Sequence, residues 1–127
     1  MKATKITYWI TTSLITLSLT SAGLMYFLSP EVAAGFTHLG FPDYFRKELG
    51  IAKLLGALAL IVPMLPRNIK EWAYAGAGIV FISASIAHAS SGDPASAVIT
   101  PFVQLLILVT SYVMYSRLQK AGRVATA

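Results

Sequence analysis

Cysteine is absent from the chain, which removes disulfide exchange, thiolate nucleophiles and cysteine-ligated iron or zinc from the chemistry open to it. Histidine occurs only twice, at His38 and His88. A full apolar run separates the two, so no histidine pair at helical spacing stands ready to hold a haem or a metal. Charge is scarce, at 12% of residues, and Asp and Glu together number only 5. The formal charge of +5 comes from basic residues at the ends of apolar runs, not from a continuous patch, so nucleic acid is not an expected partner.

What the chain has in quantity is hydrophobic length. Apolar residues make up 56% of it and the mean hydropathy is +0.68, values that do not describe a soluble domain. Four apolar runs, about 6–28, 48–65, 72–90 and 97–115, each approach the ~20 residues a helix needs to cross the hydrocarbon. The expected fold is therefore all-α: a four-helix transmembrane bundle forming one membrane domain over 1–127. Lys2 and Lys5 before an apolar run resemble the start of a signal peptide. The run is longer than the ~7 to 15 residues of a signal core, so it reads as the first span.

Orientation follows from the basic residues. Lys2, Lys5, Arg67, Lys70, Arg117, Lys120 and Arg123 fall on one side of a four-span arrangement, against Arg46 and Lys47 on the other. The excess predicts that both termini are cytoplasmic, in a bacterial cytoplasmic membrane. Between the first two spans, Ser29-Pro30-Glu31 combines a capping residue, a proline at the first helical position and an acid in the first turn. A short interfacial helix is expected there, with Val32, Phe36 and Leu39 as its apolar stripe and Gly40 as its stop.

Helical periodicity then assigns faces. Tyr74, Gly78, Phe81, Ser85 and His88 share one face of the third span, and Pro101, Gln104, Leu108, Ser111 and Tyr115 one face of the fourth. On the second, Gly50, Lys53, Ala57 and Leu60 align, while Ala52, Gly56 and Ala59 offer a small-residue surface suited to close helix contact. The first span carries Thr and Ser on all sides, so its inward face is not defined by pattern. By helical rise, Glu31, His38, Glu48, Lys53, His88, Asp93 and Gln104 gather in the outer half and leave the inner half nearly apolar.

Lys53 is the residue that most needs an explanation, because an ammonium at membrane depth costs at least about 2.5 to 3.5 kcal/mol on insertion scales. It either pairs with Glu48, Glu31 or Asp93 as an internal salt-bridge tie, snorkels outward, or meets a ligand. The candidate ligand-binding set is Lys53, Glu48, His88, Gln104, Glu31 and His38. No residue is identified as catalytic and none as a metal ligand. For His88 and Gln104 the plain alternatives are a helix-end histidine and an amide holding helices together.

The run from His38 to Phe45, followed by Leu49-Gly50-Ile51-Ala52-Lys53-Leu54-Leu55-Gly56-Ala57 and a later Pro63, resembles the DoxX-like family of small four-span bacterial membrane proteins. So do Lys70-Glu71-Trp72-Ala73-Tyr74-Ala75-Gly76 and Ala87-His88-Ala89 with Gly92-Asp93. The resemblance implies a helical bundle in the bacterial cytoplasmic membrane, a role beside membrane redox enzymes and quinones, and weight on Lys53 and His88.

Three functional readings follow. The first is a non-enzymatic binding or accessory subunit that holds a quinone, lipid or hydrophobic metabolite without covalent attachment. The second is a structural or assembly protein whose small-residue faces join copies of the chain or a membrane or redox partner. The third, a membrane enzyme or proton-coupled carrier, lacks a nucleophile and base at recognisable spacing.

Overall fold

The computed structural model describes residues 1–126, with side chains as far as Gly122. The side chain of Arg123, counted among the inner basic residues, lies outside that set. Five helices occur among the described residues: α1 (Lys2–Leu28), α2 (Pro30–His38), α3 (Asp43–Ile61), α4 (Arg67–Ser90) and α5 (Ala95–Thr126). No strand occurs among the described residues, so the all-α expectation holds.

Helix ends shift for local reasons. The helix expected from Glu48 starts earlier, at Asp43, because extended Pro42 (φ −70°, ψ 158°) releases the chain into a turn led by an acid. It stops at Ile61, short of Leu65, since Pro63 holds Val62 extended at ψ 115°. Pro66 likewise starts α4 at Arg67, ahead of Trp72. α2 begins as its sequence predicts, with Ser29 Oγ accepting from the Val32 N–H at 3.3 Å and Pro30 at the first helical position. Among the described residues three helices, α1, α4 and α5, are long and apolar enough to cross a membrane. α3 falls short of that measure because its 19 residues include Asp43, Arg46, Lys47, Glu48 and Lys53.

α1 packs against α3 on one side and α5 on the other, α4 packs against α5, and α3 meets α4 loosely. The inward face of α1 is Tyr8, Thr12, Ile15, Leu19 and Gly23, which composition had left undefined. Close approach occurs where α1 and α3 cross at Gly23 and Gly50. A Cβ on Gly23 would stand 2.8 Å from Leu54 Cγ, and one on Gly50 2.8 Å from Phe27 Cε2. The faces assigned to α4 and α5 are buried as expected, through Tyr74 and Phe81 on one and Pro101, Leu108, Ser111 and Tyr115 on the other. Pro101 removes a backbone donor within α5, and Ser85 donates to the Val98 carbonyl nearby at 2.8 Å.

Two expectations are corrected. The small residues Ala52, Gly56 and Ala59 make no close helix contact; they border a void, and a Cβ on Gly56 would meet nothing within 4 Å. The half of the bundle away from α2 is not nearly apolar either. Thr12 Oγ1 and Tyr74 Oη each lie 2.7 Å from Ser111 Oγ in a buried hydroxyl chain, ringed by Tyr8 and Tyr115. Hydroxyls satisfied by one another cost little in the core, so hydropathy does not register them.

Lys70, expected at the inner surface, is 1% exposed and donates its Nζ to the Leu60 carbonyl at 2.7 Å. That carbonyl belongs to the last turn of α3, which carries no basic residue of its own. The ammonium thus satisfies an orphan acceptor at the negative end of the α3 dipole. Lys70→Met leaves that carbonyl buried and unpartnered, and we expect a loss of about 1–3 kcal/mol, read as a lower thermal midpoint in detergent.

Candidate functional site

The end of the bundle that carries α2 is built on aromatic contacts. Phe36, buried on the apolar stripe of α2, meets Tyr26 of α1 edge-on with centroids 4.8 Å apart, and Phe41 stacks on Phe45 at 4.8 Å. Arg46 donates to the Tyr26 carbonyl and, at 2.6 Å, to Asp43 Oδ1, so it binds the start of α3 to the last turn of α1.

These contacts leave space between α2, α3 and α4. A cavity of about 590 Å³ lies under α2, bordered by Tyr26, Phe36, Phe45, Ile79, Ala84 and both histidines. A second, of about 460 Å³, runs between α3 and α4 along Lys53, Gly56, Ala59, Trp72, Gly76 and Ala77. Leu49 and Val80 border both, so the two adjoin. The void between α3 and α4 exists because Gly56 and Gly76 bring no side chain to it, and a Cβ on either would meet nothing within 4 Å.

Lys53 sits at this junction. It lines the second cavity, and its Nζ lies 4.6 Å from the ring centroid of Tyr26, which lines the first. Among the described residues no carboxylate pairs with it. Asp43 takes Arg46 and Lys47, Glu71 takes Arg67, Asp93 takes the histidines, and Glu31 and Glu48 are exposed without an ion pair. Of the readings open for Lys53, the salt-bridge tie does not form among the described residues, and a ring contact takes its place. A cation–π contact is worth about 0.5–2 kcal/mol, less than the ~2.5–3.5 kcal/mol insertion cost, so the ring offsets only part of the charge.

The histidines are brought together across 50 residues of sequence by one acid. His38 Nε2 lies 2.7 Å from Asp93 Oδ1 and His88 Nδ1 2.6 Å from Asp93 Oδ2. An ionised carboxylate only accepts, so His38 carries its proton on Nε2 and His88 on Nδ1. The hydrogen bond from His88, followed by that from His38, holds the Asp93 carboxyl below the usual carboxylate range. With both imidazoles turned onto one carboxylate, no group of three or more metal-ligating side chains forms among the described residues.

Of the six residues proposed from sequence, Lys53, His38 and His88 border the adjoining cavities. Gln104 is elsewhere, donating Nε2 to Ser18 Oγ at 2.6 Å and so joining α5 to α1. Glu31 and Glu48 line neither cavity. Tyr26 was not anticipated, although an aromatic at the end of the first span, at the depth of Lys53, was the available signal.

An all-helical bundle with three membrane-length apolar helices defines a membrane protein. The chain belongs to the DoxX-like family, whose model matches residues 10–111 and so takes in the paired cavities, Lys53 and the Asp93 bridge. No curated protein and no solved structure matches it.

The bridge makes α2 docking sensitive to acid in one direction. Since the folded pKa of Asp93 is lowered, its contribution is present above the ordinary carboxylate range and is lost as pH falls through the lowered value. A spin label at Glu31→Cys, unambiguous in a chain without cysteine, should keep constant mobility from neutral pH to about 4 and become mobile below it. Asp93→Asn should make the label mobile already at neutral pH.

Proposed function

We propose that this protein is a non-enzymatic binding or accessory subunit of a membrane redox system, holding an amphipathic small molecule in the paired cavities around Lys53. Quinones, lipids and hydrophobic metabolites share the required form: a polar head and an apolar body. The observation that carries this reading is Lys53, a cation without a carboxylate partner at the junction of two apolar cavities. Their volumes fall within the ~300–1,000 Å³ of small-molecule pockets. Lys53 takes the head. His38 and His88, bridged by Asp93, line the adjoining cavity under α2, and the groove of Gly56 and Gly76 takes the body. Glu31 and Glu48 add charge near that mouth, and Gln104 braces α5 against α1.

The same reading places α3 as a fourth span, its charged first turns among headgroups and its apolar remainder, from Leu49 to Ile61, in the bilayer. α2 then rests at the outer interface with Val32, Phe36 and Leu39 inward. Lys2, Lys5, Arg67, Arg117 and Lys120 share the opposite, cytoplasmic side of a bacterial cytoplasmic membrane, which supports cytoplasmic termini.

The reading is tested by mass spectrometry of organic extracts from purified protein at equal amounts. Wild type should carry an enriched compound that Lys53→Met lacks. Gly56→Leu, which fills the groove without touching the cation, should lose it too while thermal stability holds or rises. Equal bulk lipid in all three variants contradicts the binding role.

A further inference from the structure

We infer that the bound molecule is a single-chain amphiphile with a carboxylate head, a long-chain fatty acid being the simplest form, seated head-first on Lys53. The inference rests on the binding reading above and names the ligand class for that same site. Its basis is charge complementarity inside an otherwise apolar groove.

Five acidic residues are present, and among the described residues none forms an ion pair with Lys53: three pair with other side chains and two are exposed without an ion pair. The described residues therefore supply no counter-charge for the ammonium. Within the second cavity Lys53 is the sole charged lining residue, and Trp72, six residues into α4, is the other side chain there with a hydrogen-bond donor. A phosphate head, with more oxygens and more charge, is normally met by several donors or an arginine fork. One ammonium and no further cation match one negative charge on two oxygens. A neutral quinone carbonyl would accept a hydrogen bond and leave the cation uncompensated in a low-dielectric setting.

The groove takes the part of such a chain next to the head. From Lys53 to Ala59 it follows α3 for about 9 Å by helical rise, with small residues from both helices on its walls. Its mouth adjoins the aromatic cavity beneath α2, through which the carboxylate end is approached. Lys53 is the one charged side chain among the described residues that line the groove, so that charge sets which way the molecule lies.

The test is native mass spectrometry of the detergent-solubilised full chain with palmitate, with the neutral alcohol of equal chain length, and with phosphatidylglycerol. Palmitate should bind at least tenfold more tightly than the alcohol. Lys53→Met should bring palmitate down to the level of the alcohol, and Lys53→Arg should keep the preference, which separates charge from folding. Equal affinity for acid and alcohol, with both lost in Gly56→Leu, overturns the carboxylate assignment while the cavity reading stands. Preferential retention of phosphatidylglycerol also overturns it. Failure of all three to bind above the Gly56→Leu background contradicts the assignment and the binding reading together.

Discussion

An uncompensated ammonium in an apolar setting constrains everything around it. Lys53 is held by a ring and not by an acid, and the ring belongs to Tyr26, whose carbonyl is in turn taken by Arg46. The same Tyr26 ring meets Phe36, the buried anchor of α2. Lys53, the end of α1 and α2 are thus parts of one contact network. Removing the charge removes the contact that ties α3 to the Tyr26 ring of α1.

Helix spacing divides the bundle into a tight side and an open side. Glycine sits on both, with opposite results. At Gly23 and Gly50 the missing Cβ atoms allow α1 and α3 to touch, and any larger residue would collide with Leu54 or Phe27. Gly56 and Gly76 both line the gap between α3 and α4, and their missing Cβ atoms leave it open. Small residues permit close packing only where the partner helix is drawn in, and α4 is drawn instead toward α5 by Tyr74, Ser111 and Pro101-adjacent contacts. The open side is where the ammonium lies.

Composition and periodicity made most of the fold legible. The helical class, the cap at Ser29, and the buried faces of α4 and α5 follow from hydropathy, capping chemistry and a 3.6-residue repeat. Family membership was legible too, from the run around His38 and Lys53. The misses share one cause: they are partnerships between elements, which a one-dimensional pattern does not encode. Lys70 read as a surface charge because its acceptor, the Leu60 carbonyl, is a backbone group beyond a proline turn. Its position in the first turn of α4, unfavourable for a cation on its own helix, was the signal that it serves another. Lys53 left an acid, a snorkelled position and a ligand open, and its side-chain contact in the structure is a ring. Depth alone grouped Gln104 with the histidines, whereas its azimuth turns it to Ser18. Asp93 was placed at the right end, but its bridging of His38 and His88 needed the tight turn after α4.

The central claim is that Lys53 carries its charge into the bundle without an acidic partner and meets one only on a bound molecule. A high-resolution structure of protein extracted directly from native membrane with its annular lipid tests it most directly. The account predicts elongated density between α3 and α4, ending within hydrogen-bond distance of Lys53 Nζ, with Tyr26 still beneath the ammonium. A groove closed by α3 meeting α4, or Lys53 paired with Glu48 or Glu31, would contradict it.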